Sequence, residues 1–231
     1  PLYSSAASDV YKRRGPDPPR CPPFIVCYLP GMTAHYEWEL TEEPQASVTA
    51  DVLWQINSFA ASGTHRAHRY TATWQLDLAE DWVTRSLEIV TTGSGWNRHL
   101  ALTRDDNGHW HDDVGMIGEQ PTALGAPGIA DDVDLSQALD CDLGLCPLTN
   151  TMPIRRLGLH TQPHAVQPLI MAWVEVPSLR VIASDQYYGS PSVDGLVTYA
   201  SGTRQVNVQL KVDRQGVVLD YPGLAKRTSD A

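Results

Sequence analysis

Hydrophobic and polar residues alternate along most of this chain, which is the pattern of β-strands with one buried and one solvated face. The alternation is clearest in residues 205–213, where Val206, Val208, Leu210 and Val212 would share one face. Further strands are predicted at residues 35–40, 48–56, 69–78, 83–91, 98–104, 169–176, 179–187 and 196–199. The sequence therefore predicts a mainly β (α+β) domain built on a many-stranded antiparallel sheet.

One segment of the sequence predicts a helix. Thr149, Asn150 and Thr151 carry side chains that can cap its first turn, and Pro153 suits that turn because its missing N–H costs nothing there. Gly158 can end the helix after two to three turns. A helix this short is marginal in water on its own, so we expect it to pack against the sheet.

The N-terminal residues 1–31 differ from the rest of the chain. They are rich in proline, carry a basic run at residues 12–14 and show almost no periodicity, whereas regular patterning starts after Met32. Two explanations fit, a disordered tail or upstream translation ahead of a true start at Met32. In either case we expect residues 32–231 to form a single domain.

The charge of the chain argues against two classes of partner. The formal net charge is −10, and residues 1–31 hold four basic and two acidic residues, which is +2 and leaves −12 on the rest. An acidic domain repels nucleic-acid phosphates and anionic membrane surfaces, so no nucleic-acid partner is expected. No apolar run approaches the roughly 18 residues of a membrane span, so a soluble protein without integral membrane contact is expected.

The four cysteines favour a reducing compartment. Cys21, Cys27, Cys141 and Cys146 form no CxxC pair and no zinc-binding set, so we expect free thiols. No secretion signal is visible after Met32, and the cytoplasm is therefore the expected location.

No metal site or cofactor is predicted. His109 and His111 would share one face of a strand, but a third ligand of matched spacing is missing and they follow a hairpin turn. The acidic residues 131–134 have no calcium-loop spacing and are expected to form a solvated loop.

Residues 139–157, which read LDCDLGLCPLTNTMPIRRL, resemble the signature of a known family. That signature is an acidic strand, a small residue and Pro, followed by Thr-Asn-Thr-Leu-Pro-Ile-Arg-Arg-Leu. The resemblance continues at residues 70–77 (YTATWQLD), 82–85 (WVTR), 172–177 (AWVEVP), 185–188 (DQYY) and 218–224 (VLDYPGL). On these motifs the chain is similar to the "Putative glycolipid-binding" family over residues 34–227.

The resemblance implies a fold similar to the periplasmic lipoprotein carriers of the LolA type, in which a spiral β-roll or half-barrel wraps around one short helix. It also implies a homodimer and a lipid or glycolipid ligand. Two positions depart from the signature, because Cys146 stands where Ser or Thr is usual and Met152 replaces Leu. The thiol donates a weaker hydrogen bond than a hydroxyl, whereas the change to Met conserves volume.

Two adjacent arginines are candidate ligand contacts. The planar guanidinium of Arg155 or Arg156 could bind a phosphate, sulfate or sugar carboxylate on an amphiphile. Alternatively, each arginine pairs with an acidic neighbour such as Asp140 or Asp142 and locks the helix to a strand. The net acidity of the chain favours this second interpretation.

Six further residues are candidate ligand contacts. Asn150 and Thr151 could touch the ligand, although shaping and capping the turn before the helix is the favoured role for both. The rings of Trp74, Trp173 and Tyr187 could line a pocket for acyl chains or stack on sugar faces, with the ordinary core as the alternative. Gln186 is a candidate for polar selection at the mouth of that pocket.

The function predicted from these features is non-catalytic binding of a lipid or glycolipid-like amphiphile in a cavity between the curled sheet and the helix. The alternative is a hydrolase that acts on a small amphiphile through Cys146, with His160 or His164 nearby in sequence, or through an acidic residue. A GxSxG nucleophile motif is absent from the sequence. A third interpretation is a structural dimer with a solid core and no small ligand.

Overall fold

The computed structural model describes residues 31–43 and 45–229. The predicted N-terminal extension, residues 1–31, lies outside the described residues except for Gly31. The strands are β1 (Thr33–Leu40), β2 (Ser47–Trp54), β3 (Phe59–Arg66), β4 (Tyr70–Leu78), β5 (Thr84–Gly93), β6 (Trp96–Arg104), β7 (Trp110–Gly118), β8 (Gly128–Ile129), β9 (Asp140–Leu143), β10 (His164–Val174), β11 (Arg180–Ser190), β12 (Leu196–Ser201), β13 (Val206–Val212), β14 (Val218–Tyr221) and β15 (Ala225–Arg227). The α-helix, α1, is Thr151–Arg156. The predicted mainly β fold with a short helix is therefore confirmed.

All the strands join one curled sheet that does not close. Its order is β7-β6-β5-β4-β3-β2-β1-β15-β14-β13-β12-β11-β10-β9, and β8 pairs with β11 outside this path. The predicted antiparallel arrangement holds except at two places, because β9 pairs with β10 and β8 with β11 in parallel. Parallel neighbours need a long crossover, and the chain between β9 and β10 contains α1. The sheet is therefore mixed.

The hydrophobic core covers the inner face of the sheet. Side chains of alternating residues point to this face, as the period of two predicts, and the largest buried ones include Trp38, Trp54, Tyr36, Tyr188, Tyr199 and Phe59. The buried side chains form two clusters. Met152 belongs to one cluster and Ile154 to the other, so α1 lies where the two meet.

The helix is shorter than predicted and begins differently. It has six residues, and a 3₁₀ turn over Pro147–Asn150 leads directly into it. Asn150 occupies the position before the helix but makes no side-chain capping bond, and neither Thr149 nor Thr151 is the cap. Because the backbone turn already precedes the helix, its first amides do not depend on a capping side chain. No helix in the described part of the chain is long and apolar enough to cross a membrane.

Candidate functional site

A buried network of polar side chains anchors the segment before α1 to the sheet. Gln186 on β11 donates to Asp142 Oδ2 on β9 at 2.7 Å. Tyr188 donates its hydroxyl to Asn150 Oδ1 at 2.9 Å and lies 3.1 Å from Gln186 Oε1. Thr149 donates to Asp142 Oδ1 at 2.9 Å. The network joins β9, β11 and the 3₁₀ turn through the interior of the protein.

The network places two predicted ligand contacts inside the core. Gln186 is 0% and Asn150 is 5% exposed, and both use their amide groups within the protein. This geometry matches the turn-shaping alternative for Asn150. Thr151 is also fully buried, and its Oγ1 has no hydrogen-bond partner among the described residues. These side chains lie in the region between the sheet and α1 where the ligand space was predicted.

Arg156 holds α1 to the end of β9. Its Nη1 and Nη2 lie 2.6 and 2.5 Å from the two carboxylate oxygens of Asp140, and Nη1 also donates to the Trp82 carbonyl oxygen. Asp140 is 1% exposed, whereas the Arg156 side chain is 15% exposed. Burial lowers the pKa of Arg156, but the hydrogen bonds and charge of Asp140 outweigh it and raise that pKa. Arg156 therefore forms the ion pair with Asp140 that the second interpretation of the two arginines describes.

Arg155 turns toward aromatic rings. It donates to the carbonyl oxygen of Gln215 at 3.0 Å, and its guanidinium carbon lies 4.4 Å from the Trp82 ring centroid and 5.4 Å from that of Trp54. Cations over aromatic faces at these distances are attracted by the ring quadrupole. Arg155 therefore joins α1 to the rings beside it.

The three predicted aromatic contacts occupy different environments. Trp74 is 3% exposed and belongs to the core, as its alternative interpretation states. Trp173 is partly buried beneath the guanidinium of Arg204, 5.8 Å from its ring centroid, and Arg204 lies 3.8 Å from Asp142. Tyr187 is 39% exposed, because it points to the face of β11 opposite Tyr188.

A surface groove beside β10 brings together two of the predicted residues, Arg156 and Tyr187. Its volume is about 430 Å³, and its lining is mostly apolar. The lining residues are Gln137, Leu139, Arg156, Pro168, Leu169, Ile170, Asp185 and Tyr187. Pro168 pairs with Tyr187 and Ile170 with Asp185 across β10 and β11, so these four side chains share one face. We call this depression the β10 groove.

The β10 groove exists because neighbouring strands differ in length. β9 pairs with β10 only along Met171–Val174, and β10 extends seven residues beyond this pairing toward its start at His164. The chain before β9, with Leu139, and the end of α1, with Arg156, border the uncovered part of β10. Leu139 is 36% exposed, so an apolar surface remains open to a ligand.

A larger groove of about 770 Å³ lies on the outer face of β1–β5. Small side chains on β3, Ala60 and Ser62, form its floor. Cross-strand pairing sets Asp51, Ser62, Gln75 and Glu88 in one row across β2–β5. That row is polar, and the groove carries no predicted site residue other than Trp74, which lines its continuation along β3. The β10 groove, in contrast, contains two of the predicted residues, Arg156 and Tyr187.

The geometry gives no support to a cysteine nucleophile. Cys146 is 4% exposed, and burial raises the pKa of its thiol to about 12. The thiol is therefore protonated near neutral pH, whereas a nucleophilic cysteine needs a lowered pKa. His109 and His111 both face Asp105 at the exposed β6–β7 turn. The described residues contain no group of three or more His, Cys, Asp or Glu side chains that could hold a metal ion.

Sequence reasoning missed the residues that give the β10 groove its apolar character. Leu139, Pro168 and Ile170 were not singled out, although Ile170, Asp185 and Tyr187 follow the alternation of the two strands. That alternation could have shown which of the neighbouring residues Gln186 and Tyr187 faces solvent. The register of β10 against β11 and the position where β9 begins lie beyond any local pattern.

The comparisons with known proteins agree with this fold. The family model described as "Putative glycolipid-binding" matches residues 41–227. A crystal structure of a DUF1089 family protein from Pseudomonas aeruginosa is similar to this chain, with a TM-score of 0.60 and 26% identity. The match covers 80% of this chain and 95% of that chain. No curated protein matches this sequence.

Proposed function

Because this chain belongs to the "Putative glycolipid-binding" family, we propose that it binds a lipid or glycolipid-like amphiphile without catalysing a reaction. The β10 groove is the proposed site. The observation that carries the proposal is an open apolar surface of Leu139, Ile170 and Tyr187, bordered by the guanidinium of Arg156. Its volume of about 430 Å³ lies within the range of about 300–1,000 Å³ that is typical of ligand sites.

Burial of an acyl chain would supply the affinity. Each methylene removed from water contributes about 0.8 kcal/mol, so even a short stretch of chain along Leu139 and Ile170 gives measurable binding. The exposed ring of Tyr187 adds apolar area and a hydroxyl group that can meet the polar part of the ligand. Nothing in this mode of binding requires a nucleophile or a metal.

Lipid titration of the full chain tests the proposal. Protein purified without detergent is examined by native mass spectrometry for carried lipid and is then titrated with a fluorescent acyl probe. Replacing Leu139 and Tyr187 by Ser should weaken binding of the probe. The matched control is Ile56→Ser, which removes a 73% exposed apolar side chain outside the groove. Absence of carried lipid together with absence of probe binding would overturn the proposal.

We also propose that the protein forms a homodimer and is located in the cytoplasm. β7 ends the sheet and exposes Val114, Met116 and Ile117, an apolar edge that a second copy could cover. Cys141 and Cys146 are free thiols, which is typical of a reducing compartment.

A further inference from the structure

The positive charge beside the β10 groove is already matched by a carboxylate. Both terminal nitrogens of Arg156 lie within 2.6 Å of the Asp140 oxygens, and Nη1 donates in addition to the Trp82 carbonyl oxygen. A phosphate or sulfate that drew Arg156 away would leave Asp140, which is 1% exposed, as an unpaired buried charge. Stranding a buried charge is strongly unfavourable. Arg156 is thus poorly suited to capture an anionic group.

A second carboxylate lies on the open side of the groove. Asp185 accepts hydrogen bonds from the Thr203 side chain and from its backbone N–H, and these bonds hold the pKa of Asp185 below its usual value. The carboxylate is therefore ionised near neutral pH. Among the residues that line the groove, Arg156 and Asp185 are the charged ones. With Asp140 counted, one positive and two negative charges give the site a net charge of −1.

The polar groups on the open side of the groove suit hydroxyls. A carboxylate such as that of Asp185 accepts hydrogen bonds, and the Gln137 amide both donates and accepts. The ring of Tyr187 is 39% exposed and can stack on the apolar face of a sugar. These groups can bind a polyol, which carries no charge that must be balanced. A phosphate, in contrast, would be repelled by the negative charge of Asp185.

We propose that the β10 groove selects amphiphiles whose head group is uncharged and rich in hydroxyls, and that it discriminates against anionic head groups. This inference rests on the proposed function and names the ligand class of the same site. It replaces the expectation that Arg156 binds an oxyanion of the ligand, because Arg156 already binds the carboxylate of Asp140.

Two amphiphiles with the same chain test the inference. Isothermal titration of the full chain compares dodecyl maltoside with dodecyl phosphate, both below the concentrations at which they form micelles. Repulsion by one unpaired carboxylate near the head group predicts tighter binding of the maltoside by on the order of tenfold. The preference should shrink as salt is added, because mobile ions screen an exposed charge.

A matched pair of variants assigns the selectivity to one residue. Asp185→Asn keeps an oxygen that can accept from Thr203 and should raise the affinity for dodecyl phosphate by roughly threefold or more. The control, Asp106→Asn, removes the same charge from the exposed β6–β7 turn and should leave both affinities unchanged. Equal or tighter binding of the phosphate by the unaltered protein, or no response to Asp185→Asn, would overturn the selectivity alone. Failure of both amphiphiles to bind would instead overturn the proposed function.

Discussion

Arg156 on α1 and Asp140 on β9 form a two-pronged ion pair, with Nη1 2.6 Å from Oδ1 and Nη2 2.5 Å from Oδ2. The pair joins the only α-helix of the described residues to the last strand of the sheet. Since Asp140 is 1% exposed, its desolvation is offset only while the guanidinium stays in place. The pair therefore fixes the helix and also sets the charge of the β10 groove.

Breaking this pair on one side should destabilise the protein. Arg156→Met leaves the Asp140 carboxylate buried without its counter-ion, and the free energy of unfolding should fall by about 3–5 kcal/mol. Adding Asp140→Asn should restore part of the loss, because the stranded charge is then removed. Urea unfolding of both single variants and the double variant measures the coupling. Strictly additive losses would show that the two side chains do not depend on each other.

Two neighbouring tyrosines provide a matched test of the buried polar network. Tyr188→Phe removes the hydroxyl that contacts Asn150 and Gln186, and stability should fall by about 1–3 kcal/mol because the buried Asn150 amide oxygen loses its donor. Tyr187→Phe changes an exposed hydroxyl and should alter stability by less than about 0.5 kcal/mol. Urea unfolding of the two variants compares them directly. Equal losses would contradict the anchoring role of Tyr188.

The sequence pattern found strands whose buried face is regularly apolar and missed β3 and β7, where no such regular face exists. Residues 205–213 were predicted and β13 spans Val206–Val212, because its inner side chains are regularly apolar. β7 was missed because it is an edge strand whose side chains are mostly exposed on both faces, so no alternation marks it. β3 was missed because its sequence, FAASGTHR, is dominated by small and polar residues. A strand is visible in the sequence only when the side chains on its buried face are consistently apolar.

The candidate site was only partly predictable for a related reason. The resemblance at residues 139–157 drew attention to Arg156, and its pairing with Asp140 was one of two stated alternatives. The β10 groove depends on where β9 begins along β10 and on the register that sets Ile170 opposite Asp185. Both are relations between distant segments, which no local pattern encodes.

Arg98 should be hard to replace even by lysine. It is 2% exposed and its guanidinium donates to the Gln120 side chain and to the carbonyl oxygens of Leu124, Gly125 and Ser178. A lysine ammonium has three donors and no planar fork, so it cannot serve all these acceptors. Arg98→Lys should lower stability and speed hydrogen exchange in residues 119–127.

The control for Arg98 is an exposed arginine on β3, three strands away from β6 in the order of the sheet. Arg66→Lys alters a solvated side chain at the end of β3 and should leave both stability and hydrogen exchange unchanged. Mass spectrometry of peptides covering residues 119–127 measures the exchange. Unchanged protection of this loop in Arg98→Lys would show that the guanidinium does not hold it.

His65 should make stability fall in mild acid. Burial lowers its pKa from 6.5 to about 4, against a smaller opposing effect of Glu43. The unfolded chain therefore binds more protons than the folded protein below pH 6.5, and stability declines as the pH falls toward 4. The loss attributable to His65 is at most about 3 kcal/mol. His65→Gln should flatten this part of the pH profile in urea unfolding, and an unchanged profile in that variant would contradict the prediction.

The exposed edge of the sheet should mediate the proposed self-association. β7 ends the sheet, and its residues Met116 and Ile117 are 54% and 74% exposed. Unpaired apolar edge strands associate readily, and inward-pointing or edge lysines prevent this because a charge cannot be buried there. Met116→Lys combined with Ile117→Lys should convert the dimer into a monomer in sedimentation velocity experiments.

A lysine elsewhere separates this effect from a general increase in charge. Val193 is 62% exposed in the turn between β11 and β12, away from the β7 edge in the order of the sheet. Val193→Lys should leave the dimer intact at the same protein concentration, because the covered surface is unchanged. A monomeric unaltered protein would contradict the dimer itself, and a dimer that survives both edge lysines would place the interface on another surface. Lipid titration of the monomeric variant would then show whether the β10 groove binds lipid without a partner. Because the lining of the groove belongs to one chain, we expect that it does.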